Sequence, residues 1–281
     1  MNRAQHAGQH PNDADGLAES LDLDAEVLAE HTAAITAWLP LKTTPREIVD
    51  LGCGTGAGTF ALIDRFPDAH VTAVDASVEY LQRVLAKACA RGIEERVRTV
   101  QADLDETVWP DLGSPDLVWA SASLHHMAQP DRALRAVHDV LAPDGLFAVV
   151  ELAGQPRFLP ETAPEGAPGL EERVHAAVDR LHFGHLPHRG ADWGPMLTAA
   201  GFTVEGERTV TVNVEGSRNA AIGRYAHGIL QRVRGVVAET LTPEDLVALD
   251  RLLDSSRPEG ILHRHDLTVR TERTVWAARR T

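Results

Sequence analysis

The chain has 281 residues, 43% of them hydrophobic, enough for one large core or for a core with sizeable insertions. Its formal net charge of −14 would repel a phosphate backbone over most of the surface, and no compensating basic patch is visible, so nucleic acid is not an expected partner. Two cysteines, Cys53 and Cys89, are too few for a disulfide framework or a multi-cysteine zinc site, and no long apolar run or leader-like core occurs; a soluble, cytoplasmic protein without membrane insertion is expected.

Residues 1–16 are polar and turn-rich and are expected to form a mobile tail. In 17–45, Leu21, Ala25, Leu28, Ile35, Trp38 and Leu39 recur at roughly helical spacing, which predicts one or two N-terminal cap helices. From residue 46 to 152 strand and helix signals alternate. The strands are expected at 47–51, 70–75, 96–102, 116–121 and 146–152. The helices are expected at 57–65, at 77–90 with Val78, Leu81, Leu85 and Ala88 on one face, and at 131–141 with Leu134, Val137 and Leu141 inward. Such alternation argues for parallel strands joined by crossover helices, a doubly wound α/β sheet.

Residues 153–281 read as the rest of that sheet, interrupted by helical insertions at about 153–190 and 215–265. A Pro- and Gly-rich loop at 153–169 leads to a helix at 170–183. A second helix at about 192–200 ends at Gly201, where glycine can take the left-handed closing conformation. A strand at 202–214 follows. Residues 218–254 read as helical, with Thr242 as an N-cap and Pro243 at the first helical position. The last strand signal lies near 268–279.

The stretch "IVDLGCGTGAGTF", 48–60, joins a strand to a helix through a glycine-rich turn, which offers backbone N–H groups and lets a ligand approach closely. A phosphate-gripping P-loop would need Gly-Lys-Ser/Thr, and no lysine occurs between Lys42 and Lys87. Gly52, Gly54 and Ala57 do fit G-x-G-x-x-A, and Asp75 ends the next strand. On these residues alone an NAD(P)-dependent oxidoreductase stays open, as does a non-catalytic cofactor-binding module.

"VDLGCGTGAGT" resembles the first motif of the class I S-adenosylmethionine-dependent methyltransferases, with Asp50 two places before Gly52 and further glycines at Gly54 and Gly56. "AVDAS" and "VQADLDE" resemble the next two motifs, and the segment from "DLVWASASLHHM" to "LFAVVEL" is similar to the small-molecule methyltransferases that include the ubiquinone and menaquinone C-methyltransferases. The matches follow in the family's order over roughly 46–152. The resemblance implies a seven-stranded Rossmann-like sheet with an antiparallel last strand, a helical cap over the acceptor, and S-adenosyl-L-methionine as cofactor. It further implies that Asp75, followed by Ala76, chelates the ribose hydroxyls, that Asp103 and the Leu104 N–H meet the adenine, and that Ser121 lies along the cofactor.

Methyl transfer from a sulfonium is an in-line displacement. It rests mainly on alignment of donor and acceptor, and a general base helps where the acceptor is a weakly acidic hydroxyl or carbon. The candidates at the ends of strands four and five are His125, His126 and Glu151. Adjacent histidines in extended backbone point opposite ways, so at most one of the pair is expected to face the acceptor. His175, Asp179 and His182 share a helix face that could hold a metal, with His185 and His188 beyond, but histidines in a lid-like segment are read as surface or pocket groups and no metal is expected. Trp193, Tyr225 and Phe183 could line a pocket, though packing is their commoner use. The expected partner is a small-molecule methyl acceptor, with a homodimer as the assembly entertained.

Overall fold

The computed structural model describes residues 11–182 and 188–280. Helices α1 (Pro11–Val27) and α2 (Ala29–Trp38) precede β1 (Glu47–Leu51), α3 (Ala57–Arg65), β2 (His70–Asp75), α4 (Val78–Ala90) and β3 (Val97–Gln101). Then come β4 (Leu117–Ser121), α5 (Pro130–Val140), β5 (Leu146–Leu152), α6 (Leu170–His182), α7 (Trp193–Ala199), β6 (Phe202–Glu215), α8 (Ile222–Val237), α9 (Pro243–Leu253) and β7 (Thr268–Arg280). Helix α1 opens at Pro11, inside the segment expected as a tail. Proline suits a first helical position.

The seven strands lie in the order β3-β2-β1-β4-β5-β7-β6. Strands β1 to β5 pair in parallel, and β7 runs antiparallel to β5, with Leu146 opposite Arg279 and Leu152 opposite Arg273. The order reverses at β1, whose neighbours are β2 and β4, so a crevice opens at the carboxyl ends of β1 and β4.

Two compact units divide the chain. The larger is drawn from Leu28–Pro156, Gly184–Val212 and Thr271–Thr281, and its sheet is buried on both faces. Alternate strand residues therefore serve opposite layers: Ile48, Leu117 and Trp119 pack with Leu62, Leu81 and Val84, while Val49, Val118 and Phe147 pack with Leu134, Val137 and Trp193. Each fully buried Leu or Val of these layers is worth about 1.5–3 kcal/mol. In α4 the buried face is Leu81, Val84 and Ala88, whereas Val78 and Leu85 are exposed. Ser77 caps that helix, accepting the Tyr80 N–H at 3.2 Å, which places Val78 in the outward first turn.

The smaller unit is drawn from Met1–Val27, Arg157–Phe183 and Asn213–Arg270. Its α1 buries Ala18, Leu23 and Val27, with Leu21 and Ala25 only half-buried. The stretch read as one helical run is two helices, broken between Val237 and Thr242; Thr242 Oγ1 accepts the Asp245 N–H at 3.2 Å and caps α9. Glu171 lies buried in α6 and accepts the N–H groups of Phe158 and Leu159 at 2.7 and 3.0 Å, and burial raises its carboxyl pKa. Arg173 pairs bidentately with Asp245, which holds that carboxyl below its ordinary range. Tyr225 is buried and donates to Asp24, a packing role.

Candidate active site

The glycine loop runs from the end of β1 into α3. Gly52 has φ +66°, and a Cβ on it would stand 2.5 Å from the Ser123 Cβ, so only glycine fits the turn. The loop is tied down on several sides. The Cys53 N–H donates to the Val74 carbonyl at 2.9 Å, the Ser123 hydroxyl to the Leu51 carbonyl at 2.9 Å, and the Lys87 ammonium to the Thr55 carbonyl at 2.7 Å. Asp75, ending β2, accepts the Gly54 N–H on Oδ2 at 2.8 Å and the Ser77 N–H on Oδ1 at 2.9 Å. Each of its oxygens keeps a lone pair for a further donor. Gly54 and Gly56 also have positive φ, and Gly56 leads directly into α3.

Asp50 is buried at 2% exposure behind this loop, where it accepts the Thr59 hydroxyl at 2.7 Å. Burial pushes its carboxyl up to about 7 against the opposing Thr59 hydrogen bonds, and the like charge of Asp75 adds to the rise. Burial and the two carboxylates likewise drive the Cys53 thiol far above its usual range, which keeps it a neutral packing group. Two buried donors here, Thr55 Oγ1 and Trp119 Nε1, have no hydrogen-bond partner among the described residues.

Asp103 follows β3 and is exposed; one of its oxygens accepts the Asp105 N–H at 2.9 Å. Asp105 in turn accepts the Ala128 N–H at 2.9 Å, which fastens the segment around half-buried Leu104 to the start of α5. Ala76 receives a 3.2 Å hydrogen bond from Gln101 on its carbonyl, and Ser121 closes β4 half-buried.

The histidine pair departs from the extended geometry expected of it. Leu124–His126 is a single 3-10 turn, so the two rings lie against each other, tilted by 38° with centroids 4.1 Å apart, instead of pointing opposite ways. His125 is buried and its Nδ1 lies 2.6 Å from Glu151 Oε2. Glu151 is equally buried, not a lone carboxylate at the mouth: its Oε1 accepts the Leu124 N–H at 2.9 Å. His126 is exposed. Glu151 pairs with Thr274 on β7, and the turn after β4 covers its carboxylate through Leu124 and His125.

Outside this edge, His175 is buried in α6 while Asp179, one turn further on, is exposed. The side chain of His182, and His185 and Phe183, lie outside the described residues. No group of three or more metal-ligating side chains occurs among the described residues. Trp193 is fully buried in the core of the larger unit. A cleft of about 500 Å³ lined by Glu47, His70, Arg96 and Arg98 opens at the amino ends of β1 to β3, the opposite edge from the glycine loop. No helix of the described residues is long and apolar enough to cross a membrane.

Residues 48–145 match the family model described as a methyltransferase domain. A malonyl-[acyl-carrier protein] O-methyltransferase of Laribacter hongkongensis is 30% identical over 238 residues, 77% of this chain and 73% of that protein. The chain belongs to the class I S-adenosylmethionine-dependent methyltransferases. A demethylmenaquinone methyltransferase of Thermus thermophilus is 36% identical over 137 residues, 49% of this chain and 57% of that one. The chain spans little more than half the length of the first curated relatives it matches. The fold is that of a geranyl diphosphate methyltransferase solved with S-adenosylmethionine, at TM-score 0.53 and 16% identity, covering 98% of this chain and 92% of that one.

The family's cofactor carries a sulfonium and an ammonium and no phosphate, and the methyltransferase loop suits it. The loop is backed by the carboxyls of Asp50 and Asp75, its glycines admit close approach, and an orphaned Thr55 hydroxyl lies within it. The sequence reading missed Ser123, Thr59 and Trp119. Ser123 and Trp119 are placed by pairing of β1 with β4, strands 70 residues apart at their starts, and no local pattern announces that.

Proposed function

We propose that this chain transfers a methyl group from S-adenosylmethionine to an oxygen or carbon nucleophile of a small molecule, with His125 as the base that accepts the nucleophile's proton. The observation that carries this reading is the buried His125–Glu151 pair at the same sheet edge as the glycine loop and Asp75. When bound, the cofactor supplies a methyl carbon activated by a positive sulfur. Asp75 would hold the ribose diol, Asp103 and the Leu104 N–H the adenine, and Asp50 with the glycine loop the cationic end.

A neutral His125 bonded through Nδ1–H to Glu151 has its free lone pair on Nε2, so the carboxylate selects the tautomer that can act as a base. Once Nε2 takes a proton, the same carboxylate stabilises the imidazolium, as the aspartate does in a catalytic triad. A base of this kind contributes about 10²–10⁴-fold, and alignment of the two reactants supplies the larger share. The printed names of the relatives, one an O-methyltransferase and one acting on demethylmenaquinone, support a small acceptor and leave both atom types open.

The test is incubation with methyl-labelled S-adenosylmethionine and a fractionated metabolite extract, followed by mass detection. A small-molecule fraction gaining one labelled methyl group supports the reading; label that stays wholly on the cofactor across all fractions contradicts it.

A further inference from the structure

Asp50 and Trp119 are direct cross-strand partners in the β1–β4 pair, and both side chains are buried. Their polar atoms converge: the point where a Cβ on Gly58 would sit is 2.6 Å from Trp119 Nε1 and 3.0 Å from Asp50 Oδ1. Gly58 thus lets α3 close over the two groups. Thr59, the next residue, holds the other carboxylate oxygen at 2.7 Å. The indole N–H has no acceptor among the described residues. An ionised carboxylate accepts a hydrogen bond about twice as strongly as a neutral acid, so loss of the Asp50 proton would favour use of the donor that is left unused here.

The charges around Asp50 point the same way. Asp75, at the end of β2, is of like sign and disfavours a second negative charge. Cys53, in the loop, is neutral. Lys87, reaching over from α4, donates to the Thr55 carbonyl. Across β4, the group facing Asp50 is the uncharged indole. A neutral Asp50 is therefore favoured until a cation comes to the loop.

We infer that cofactor binding to this chain is coupled to loss of a proton from Asp50, with Thr59 and Trp119 as the positioning residues that receive the carboxylate once it ionises. The inference rests on S-adenosylmethionine being the cofactor. The O–H bond of the buried acid breaks, its electron pair stays on the carboxylate, and the proton passes to the solvent buffer. The positive charges of the cofactor take over the role that the proton had. The raised carboxyl of Asp50 puts this exchange near neutral pH. Affinity should then fall by up to about tenfold per pH unit below neutrality and level off above it.

Calorimetric titration of the full chain with S-adenosylmethionine between pH 6 and 8, in phosphate and in imidazole, reads the proton directly. The expected result is a buffer-dependent heat at pH 6 that corresponds to proton release and shrinks by pH 8, with affinity rising in parallel. Asp50→Asn, which mimics the neutral acid, should bind at every pH as weakly as the unaltered chain does at pH 6, with no buffer-dependent heat. Trp119→Phe keeps the packing and removes the donor, so it should move the affinity rise to higher pH. Thermal unfolding of both variants at pH 6 shows whether they are folded. Binding that is independent of pH and buffer in the unaltered chain overturns the inference and leaves the cofactor reading intact. Persistence of the full pH dependence in Asp50→Asn also overturns it, because the histidines after β4 would then be its source. Failure to bind S-adenosylmethionine at any pH overturns both.

Discussion

His125 Nδ1 stands 2.6 Å from Glu151 Oε2, and neither residue is more than 5% exposed. The contact joins the turn after β4 to the end of β5, and the Leu124 N–H reinforces it from the same turn. A carboxylate buried this deeply is retained only where its lone pairs are used, and this one is used to fix an imidazole. His125→Gln should lower turnover by about 10²–10⁴-fold while leaving the dissociation constant for S-adenosylmethionine within a factor of two or three. Steady-state kinetics beside calorimetry separates the two quantities. Equal losses in both would move His125 from the chemistry to cofactor binding.

Asp75 links the glycine loop to the turn before α4, and its remaining lone pairs are the ones proposed to take the ribose diol. Asp75→Ala should weaken cofactor binding by roughly 1.5–3 kcal/mol, the worth of hydrogen bonds to a charged group, and should also loosen the loop by leaving the Gly54 and Ser77 N–H groups without their acceptor. Unchanged affinity in calorimetry would remove Asp75 from the ribose.

Gly52→Ala places a Cβ at φ +66° and 2.5 Å from the Ser123 Cβ. The left-handed backbone alone costs about 1–2 kcal/mol, and the steric overlap adds to it. The melting temperature should fall and cofactor affinity with it. Combining Gly52→Ala with Ser123→Gly should recover the steric part and not the backbone part. A fully additive loss would show that the close approach to Ser123 does not set the turn.

The pH dependence of stability without cofactor carries a signature of Asp50. Its folded carboxyl titrates at about 7 against an ordinary 3.8, so the folded state binds the proton more tightly than the unfolded chain. The stability this contributes is present below pH 4, is lost as pH rises towards 7, and is flat above. The difference is on the order of 4 kcal/mol, and Glu171, raised in the same direction, adds to it. Denaturant unfolding at pH 5 and pH 8 should show Asp50→Asn gaining stability relative to the unaltered chain at the higher pH. A difference between the two chains that does not change with pH would contradict it.

The sheet was legible because its strands are buried on both faces and read as continuous apolar runs, as in "EIVDL" and "LFAVVEL". Helix ends were legible where they carry local chemistry: the Ser77 cap, Thr242 before Pro243, and Gly201 at φ +98°. Locating Asp50, Asp75 and Asp103 needed only strand ends and motif order. The arrangement of the histidines was not legible, since a three-residue turn has no periodicity and its orientation is dictated by Glu151 on another strand. Nor could the sequence show that three segments far apart in the chain gather into one helical unit, because contacts such as Arg173–Asp245 and Tyr225–Asp24 are tertiary. The exposed positions of Val78 and Leu85 show the same limit: an apolar side chain at helical spacing does not by itself reveal whether a partner covers it.

The central claim is that the glycine loop holds S-adenosylmethionine and not a dinucleotide. Side-by-side calorimetric titration with S-adenosylmethionine, S-adenosylhomocysteine and NADH tests it most directly. Saturable one-to-one binding of the two adenosyl sulfur compounds, with no heat from NADH, is the result expected. Saturable binding of NADH with neither sulfur compound bound would contradict it.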